Sequence, residues 1–315
     1  MSPGSRQTVF LAGAGGRTGT SIAKALAKRP DQFLVKAIVR EASFQKPVVE
    51  ELKNLGVEIV KGDIVEDSPE ALEAHLKDVD TVIITTIPFQ PNQQNKFLLA
   101  AKGAHVKRVI PSDFGPYAPP GSMQYQDSKL ATHEFIKQHN IPYTFVQVGW
   151  WASLLFPASH KSTTSLLKRE FYGSGDVKTA YTDTSRIGEF VARIIDDPRT
   201  LNQTVQTWDG EATLSEAWEI ASKVSGENFD DYPKACFSFI KHQLSAEEIE
   251  SRIGADQLST VIYEYARSLW YRGDNTVENA VKAGALDARA LYPDYVPASL
   301  EEYAVEFYRQ NPFEA

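Results

Sequence analysis

The chain has 315 residues, 42% hydrophobic and 23% charged, with 33 basic against 41 acidic side chains and a formal net charge of −8. This is the balance of a globular protein built as one large domain or two lobes, and a pI near 5.4 excludes the basic face that nucleic-acid binding requires. No apolar run reaches the 18 residues of a membrane span, the polar start from Met1 to Gln7 leaves no room for a secretion signal, and a single cysteine, Cys236, with six scattered histidines shows no metal-ligand spacing.

Strand-like runs are read at Thr8–Ala12, Leu34–Val39, Val57–Lys61, Thr81–Thr85, Arg108–Pro111 and Tyr143–Val148, with helical stretches between them near 19–28, 47–55, 69–77, 92–103 and 123–139. Strand and helix alternating in this way predict a parallel sheet covered on both faces. After Gly149 the rhythm changes. Strand candidates at 177–181 and 204–208 flank a helix near 184–196, and helices near 214–225, 245–253 and 257–268 follow. The expectation is α/β: a Rossmann-type doubly wound sheet over 1–150 and a smaller α+β substrate lobe over 151–315, some elements of which pack back on the first.

The first strand runs directly into Gly13-Ala14-Gly15-Gly16-Arg17-Thr18-Gly19 and then a helix. Glycines let a backbone turn sharply and approach a pyrophosphate, and the free amides and positive end of the next helix bind its charge. The spacing is G-x-x-G-x-x-G, because Thr18 occupies the place of the third glycine of G-x-G-x-x-G. About 20 residues on, at the tip of strand 2, an acid would grip the ribose hydroxyls of NAD. Arg40 stands there instead, with Lys46 close behind. The pair suits the additional phosphate of NADP; Glu41 opposes it in sign but is expected to point elsewhere. Asp63 after strand 3 is placed to meet the adenine or to cap a turn, and Thr85, Thr86 and Ile87 end strand 4 beside the glycines.

Strand 5 ends in Pro111-Ser112-Asp113-Phe114-Gly115, and Tyr125 and Lys129 follow at i and i+4. Residues four apart on a helix share a face, so the ammonium can approach the phenol and lower its pKa for proton transfer. Ser112 is then placed to hold the substrate oxygen. Asp113-Phe114-Gly115 also spells the metal-binding triplet of kinases, but no His-Arg-Asp loop or strand lysine accompanies it. Strand 6 leads to Val148, Gly149, Trp150 and Trp151. Gly149 is expected to let backbone pass close to the nicotinamide, and Phe114, Trp150, Trp151 and Phe156 to wall a flat pocket for an aromatic ligand.

With these residues in view, the chain resembles the isoflavone reductase-like, NmrA-like branch of the atypical short-chain dehydrogenases, particularly its fungal members. The likeness spans the Gly13–Gly19 turn, Val106 to Gly115, Lys129 twelve residues before Ile141-Pro142-Tyr143-Thr144, Gly173-Ser174-Gly175, Ile187-Gly188 and Gly273-Asp274-Asn275-Thr276. The resemblance implies an NADP(H)-dependent reductase of small, often phenolic, molecules in which the lysine matching Lys129 is tied to catalysis. Tyr125 departs from the plant relatives, which do not rely on a tyrosine there, and Arg186 replaces the family's usual aspartate before Ile-Gly. Two alternatives accompany this reading: an NmrA-type regulator that senses the dinucleotide without turnover, and a non-redox isomerase or cyclase. A cytoplasmic monomer or homodimer is expected, with a small aromatic substrate and no metal, nucleic acid or membrane.

Overall fold

The computed structural model describes residues 6–86, 91–162, 170–230, 243–254 and 256–310; Ile87 and Cys236 lie outside them. Strands β1 (Gln7–Ala12), β2 (Phe33–Val39), β3 (Glu58–Lys61), β4 (Thr81–Ile84) and β5 (Arg108–Ile110) form one sheet in the order β3-β2-β1-β4-β5. Every pairing in it is parallel. Helices α1 (Arg17–Ala27), α2 (Pro47–Asn54), α3 (Pro69–His75) and α4 (Asn95–Gly103) make the crossovers. The inner strands β1 and β4 are buried along nearly their whole length, which is why they read as unbroken apolar runs rather than as alternation. Strand order reverses between β1 and β4, so their carboxyl ends open the crevice in which such sheets bind ligands.

Contacts divide the chain into two compact units that interleave along the sequence: 1–114, 127–147 and 184–205 form the first, and 115–126, 148–183 and 206–315 the second. Helix α5 (Gln124–Gln138) starts in the second and continues in the first. Strand β6 (Thr144–Gln147) is not a full member of the five-stranded sheet. A single bridge, Val109 to Tyr143, joins its start to β5, and its neighbour is the strand Gln203–Gln206.

In the first unit, helix α6 (Ile187–Asp196) lies against α1, where Ser21 Oγ donates to Ser185 O at 2.7 Å and accepts from the Gly188 amide at 3.0 Å. The buried Arg108 donates to Thr200 Oγ1 at 2.9 Å and Asp197 O at 3.1 Å, tying β5 to the end of α6. Phe10, Ile84, Phe97 and Phe145 centre the core on one face of the sheet.

The second unit is built on the strands Trp150–Trp151, Thr179–Thr182 and Gly210–Ala212, with Thr179–Thr182 in the middle. Helices at Leu214–Ser225, Ala246–Arg252 and Gln257–Ala266 match the sequence reading to within a few residues, and Gln257–Ala266 continues into a π-helical turn, Arg267–Arg272. Asn275, fully buried, accepts from the Tyr117 amide and donates to Thr179 Oγ1 and Ala180 O, which accounts for the Gly-Asp-Asn-Thr stretch as a structural clamp. No helix of the described residues is long and apolar enough to cross a membrane. Nor, among them, does any group of three or more His, Cys, Asp or Glu stand placed to hold a metal ion.

Candidate active site

On leaving β1 the chain turns into α1 within four residues, and the glycines answer to that turn. Gly13 has φ +90°, and a Cβ there would stand 2.6 Å from Thr86 Cγ2 and 2.7 Å from Thr85 Oγ1. A Cβ on Gly19 would collide with the Gly13 carbonyl. These two glycines therefore serve the packing of turn against helix and strand. Gly15 and Gly16 meet only ordinary contacts, 3.6 and 3.5 Å, and are exposed along with Arg17, whereas Thr18 is buried in the first turn of α1. Gly16 caps α1 without a side-chain acceptor, and no acid stands in the first turn. The positive end of the helix is left for an anion.

A cleft of about 490 Å³ opens at this turn. Gly13, Gly15 and Gly16 line one side, Arg40, Ser43 and Lys46 the margin beyond β2, Gly62, Asp63 and Val65 the margin beyond β3, and Thr86 the end of β4. Glu41 forms an ion pair with Lys61 and is not among the lining residues, so Arg40 and Lys46 give this margin its charge. Asp63 Oδ1 accepts from the Val65 amide at 2.8 Å and the Glu66 amide at 3.4 Å: its carboxylate shapes the turn as well as facing the cleft. Lys96 secures the same turn through the carbonyls of Val65 and Asp67. Thr85 Oγ1 is committed to the carbonyls of Ala12 and Gly13. Thr86 Oγ1, by contrast, is buried without a hydrogen-bond partner at the cleft. An uncapped helix end, an unsatisfied buried hydroxyl and two cations at one margin fit a dinucleotide carrying a third phosphate.

Thr86 leads to the lysine. Its carbonyl accepts from Ser112 Oγ at 2.5 Å, and the Ser112 amide donates to Gln94 Oε1 at 3.0 Å. Ser112 thus joins the ends of β4 and β5. The next residue, Asp113, presents its carbonyl to Lys129 Nζ at 2.7 Å and its Oδ2 to His133 Nε2 at 3.0 Å. Lys129, Asp113 and His133 are all buried. Burial pushes the Lys129 pKa down, against the opposing pull of the Asp113 carboxylate. Burial acts to raise the Asp113 pKa, but attraction to His133, their hydrogen bond and the Lys129 charge outweigh it and hold it below the usual carboxylate value. Neither partner of Lys129 was singled out from the sequence as a site residue. The available signal was His133 at i+4 from Lys129, on the same helix face.

The remaining candidates fall into different surroundings. Phe114, in the first unit, is buried with φ +33° and donates its amide to Val146 O at 3.1 Å. Tyr125 belongs to the second unit, in the first turn of α5, and its ring meets Tyr265 edge-on at 6.3 Å. Trp150 lies 5.3 Å from the same Tyr265 ring, with its indole N–H buried and unpartnered. Trp151 is half-buried beside it. Val148 is fully buried and donates its amide to Gly115 O at 3.0 Å. Gly149 has φ +63°, and a Cβ there would stand 2.6 Å from Ala180 O, so packing against the strand Thr179–Thr182 requires the glycine. Phe156, expected to wall the pocket, is 2% exposed and packs against Tyr303, Phe307 and Tyr308 in the hydrophobic core of the second unit.

Known proteins resemble this chain along its length. An asnovolin J 5',6'-dehydrogenase from Aspergillus novofumigatus is 29% identical, over 95% of this chain and 94% of its own. A phenylcoumaran benzylic ether reductase from Pyrus communis is 28% identical, over 96% and 99%. The solved binary complex of leucoanthocyanidin reductase with NADPH from Vitis vinifera superposes with a TM-score of 0.80 at 21% identity, covering 96% of this chain and 100% of that one. The description of the NmrA-like family matches residues 5–304, and on that match the chain belongs to the NmrA-like family.

Proposed function

We propose that the protein is an NADPH-dependent reductase acting on a carbonyl or activated C=C of a small aromatic or phenolic metabolite. One observation carries this reading: a buried lysine of α5 bonded to the loop after β5 and joined through Asp113, Ser112 and Thr86 to the cleft at the glycine turn in the same unit. The Pyrus communis relative, named for reduction of a phenylcoumaran benzylic ether, supports an aromatic substrate.

Each group has a distinct task. The amides around Gly15 and Gly16 and the start of α1 bind the pyrophosphate, with the Thr86 hydroxyl as a further donor. Arg40, Lys46 and Ser43 hold the adenosine phosphate through charge-assisted bonds. NADPH, when bound there, supplies hydride from its nicotinamide ring. Lys129 supplies the matching proton, so a carbonyl gains one hydride at carbon and one proton at oxygen. Ser112 fixes the ends of β4 and β5 on which this geometry depends. Tyr125, Phe114, Trp150 and Trp151 are the substrate-side candidates.

The test is NADPH oxidation by the purified protein against a panel of aromatic ketones, enones and benzylic ethers. Lys129→Ala should lower kcat by about 10²- to 10⁴-fold while NADPH affinity persists; undiminished turnover overturns the assignment. Lys129 donates only while protonated, and burial depresses its pKa. The wild-type kcat/KM should therefore fall with rising pH, at a midpoint below the ordinary lysine range. NADPH binding without turnover, together with a stable protein partner, would identify a dinucleotide sensor instead.

A further inference from the structure

We propose that Asp113 and His133 are positioning residues for Lys129, the first as countercharge and anchor of its ammonium, the second as the clamp that holds Asp113 in place. The inference rests on the catalytic reading of Lys129 only for its effect on turnover.

The geometry is over-determined. Lys129 and His133 project from one face of α5, and both reach the same residue: the ammonium takes the Asp113 carbonyl at 2.7 Å and the imidazole takes its carboxylate at 3.0 Å. The His133 ring is fixed in turn by stacking on Phe145 of β6 at 3.6 Å and 7°, and Phe145 stacks on Tyr143 at 4.1 Å. The loop itself is strained. Phe114 has φ +33°, a conformation bulky residues adopt only where neighbours impose it. Its amide bond to Val146 O and the Asp113 amide bond to Pro111 O hold the turn from the strand side. Two helix residues and a strand thus converge on one loop whose carbonyl receives the ammonium.

Charge supplies the second half of the argument. An ammonium in a dry site tends to shed its proton unless an anion stands near. Among the described residues, the Asp113 carboxylate from the loop after β5 acts on Lys129, His133 of α5 is hydrogen-bonded to that carboxylate, and the exposed Glu134 lies beside His133 on the same helix. A hydrogen-bonded donor on the carboxylate keeps it ionised. Remove the carboxylate, or the donor that orients it, and the ammonium loses its counterion.

The test is a pH titration of the Lys129 side chain by NMR in [13C]lysine-labelled protein, its signal assigned by loss in Lys129→Met. Asp113→Asn should lower the titration midpoint by about one pH unit or more. His133→Leu should lower it as well, whereas His133→Gln, which keeps a donor, should stay nearer the parent. Turnover lost in Asp113→Asn at alkaline pH should return as the pH is lowered, a rescue that loss of structure would not show. An unchanged midpoint in Asp113→Asn overturns the proposal. Identical behaviour of the Leu and Gln variants at 133 removes His133 from it and also serves if Asp113→Asn fails to fold. A shifted midpoint with an unshifted turnover profile would leave the positioning intact and refute instead the catalytic reading of Lys129.

Discussion

Arg40 puts a positive charge on the cleft margin beyond β2. It stands where a carboxylate would bind two ribose hydroxyls, and the neighbouring Glu41 is taken up by Lys61. A charge-assisted bond to phosphate contributes about 1.5–3 kcal/mol. Arg40→Glu should therefore weaken NADPH by roughly 10- to 100-fold and improve NADH, as read by fluorescence titration of both forms. Equal loss of both cofactors would show that Arg40 does not discriminate. At Gly13 the constraint is steric: φ +90° and two atoms within 2.7 Å of a Cβ leave no room for a side chain. Glycine spacing was visible in sequence, but which glycine faces ligand and which faces protein was not. Gly13 and Gly19 proved to be required by packing, Gly13 also lines the cleft, and Gly15 and Gly16 line it with only ordinary contacts to the protein.

At the scale of elements, the contact of α1 with α6 shows how a short motif acquires its meaning. Ile187-Gly188 was read as a family signature without a physical role. In the structure a Cβ on Gly188 would stand 2.7 Å from Ala25 Cβ and collide with the Ser21 carbonyl, so glycine is what lets the two helices meet. Gly188→Ala should destabilise the protein by about 1–3 kcal/mol through overpacking, measured by urea denaturation, while NADPH affinity in the surviving fold changes little. A neutral substitution would mean that α6 yields more easily than this contact implies. Helix starts were the more legible feature: α2 and α3 both begin at proline, which suits the first helical position. Strand β6 was less so. An apolar run signals burial but does not say which strand will be its neighbour.

Over the whole molecule, ligand binding and stability are linked. A cofactor that binds only the folded chain adds about 2.7 kcal/mol at a hundred times its Kd. For a chain of this length that corresponds to roughly a 4 °C rise in Tm. Scanning fluorimetry should show the shift with NADPH and a smaller one with NADH at equal concentration; no shift with either would contradict a dinucleotide site at the glycine turn. Which residues interleave the two units was outside the reach of a linear reading. Residues 115–126 join the second unit through long-range bonds, such as the Tyr117 amide to Asn275 and the Gln124 amide to Glu264, and nothing local announces such partners.

By itself the sequence determined what local periodicity and spacing encode: alternating strands and helices, a glycine turn between β1 and α1, a cation past β2 and a lysine after β5. Tertiary structure decided what depends on partners far apart in the chain. It paired Glu41 with Lys61, set Phe156 in a core, left the Thr86 hydroxyl unsatisfied at the cleft and brought Asp113 and His133 together beneath Lys129. The reason is physical. Backbone preference and amphipathic period act over a few residues, whereas burial, hydrogen-bond satisfaction and charge pairing act through space, where only the folded chain says which groups are neighbours.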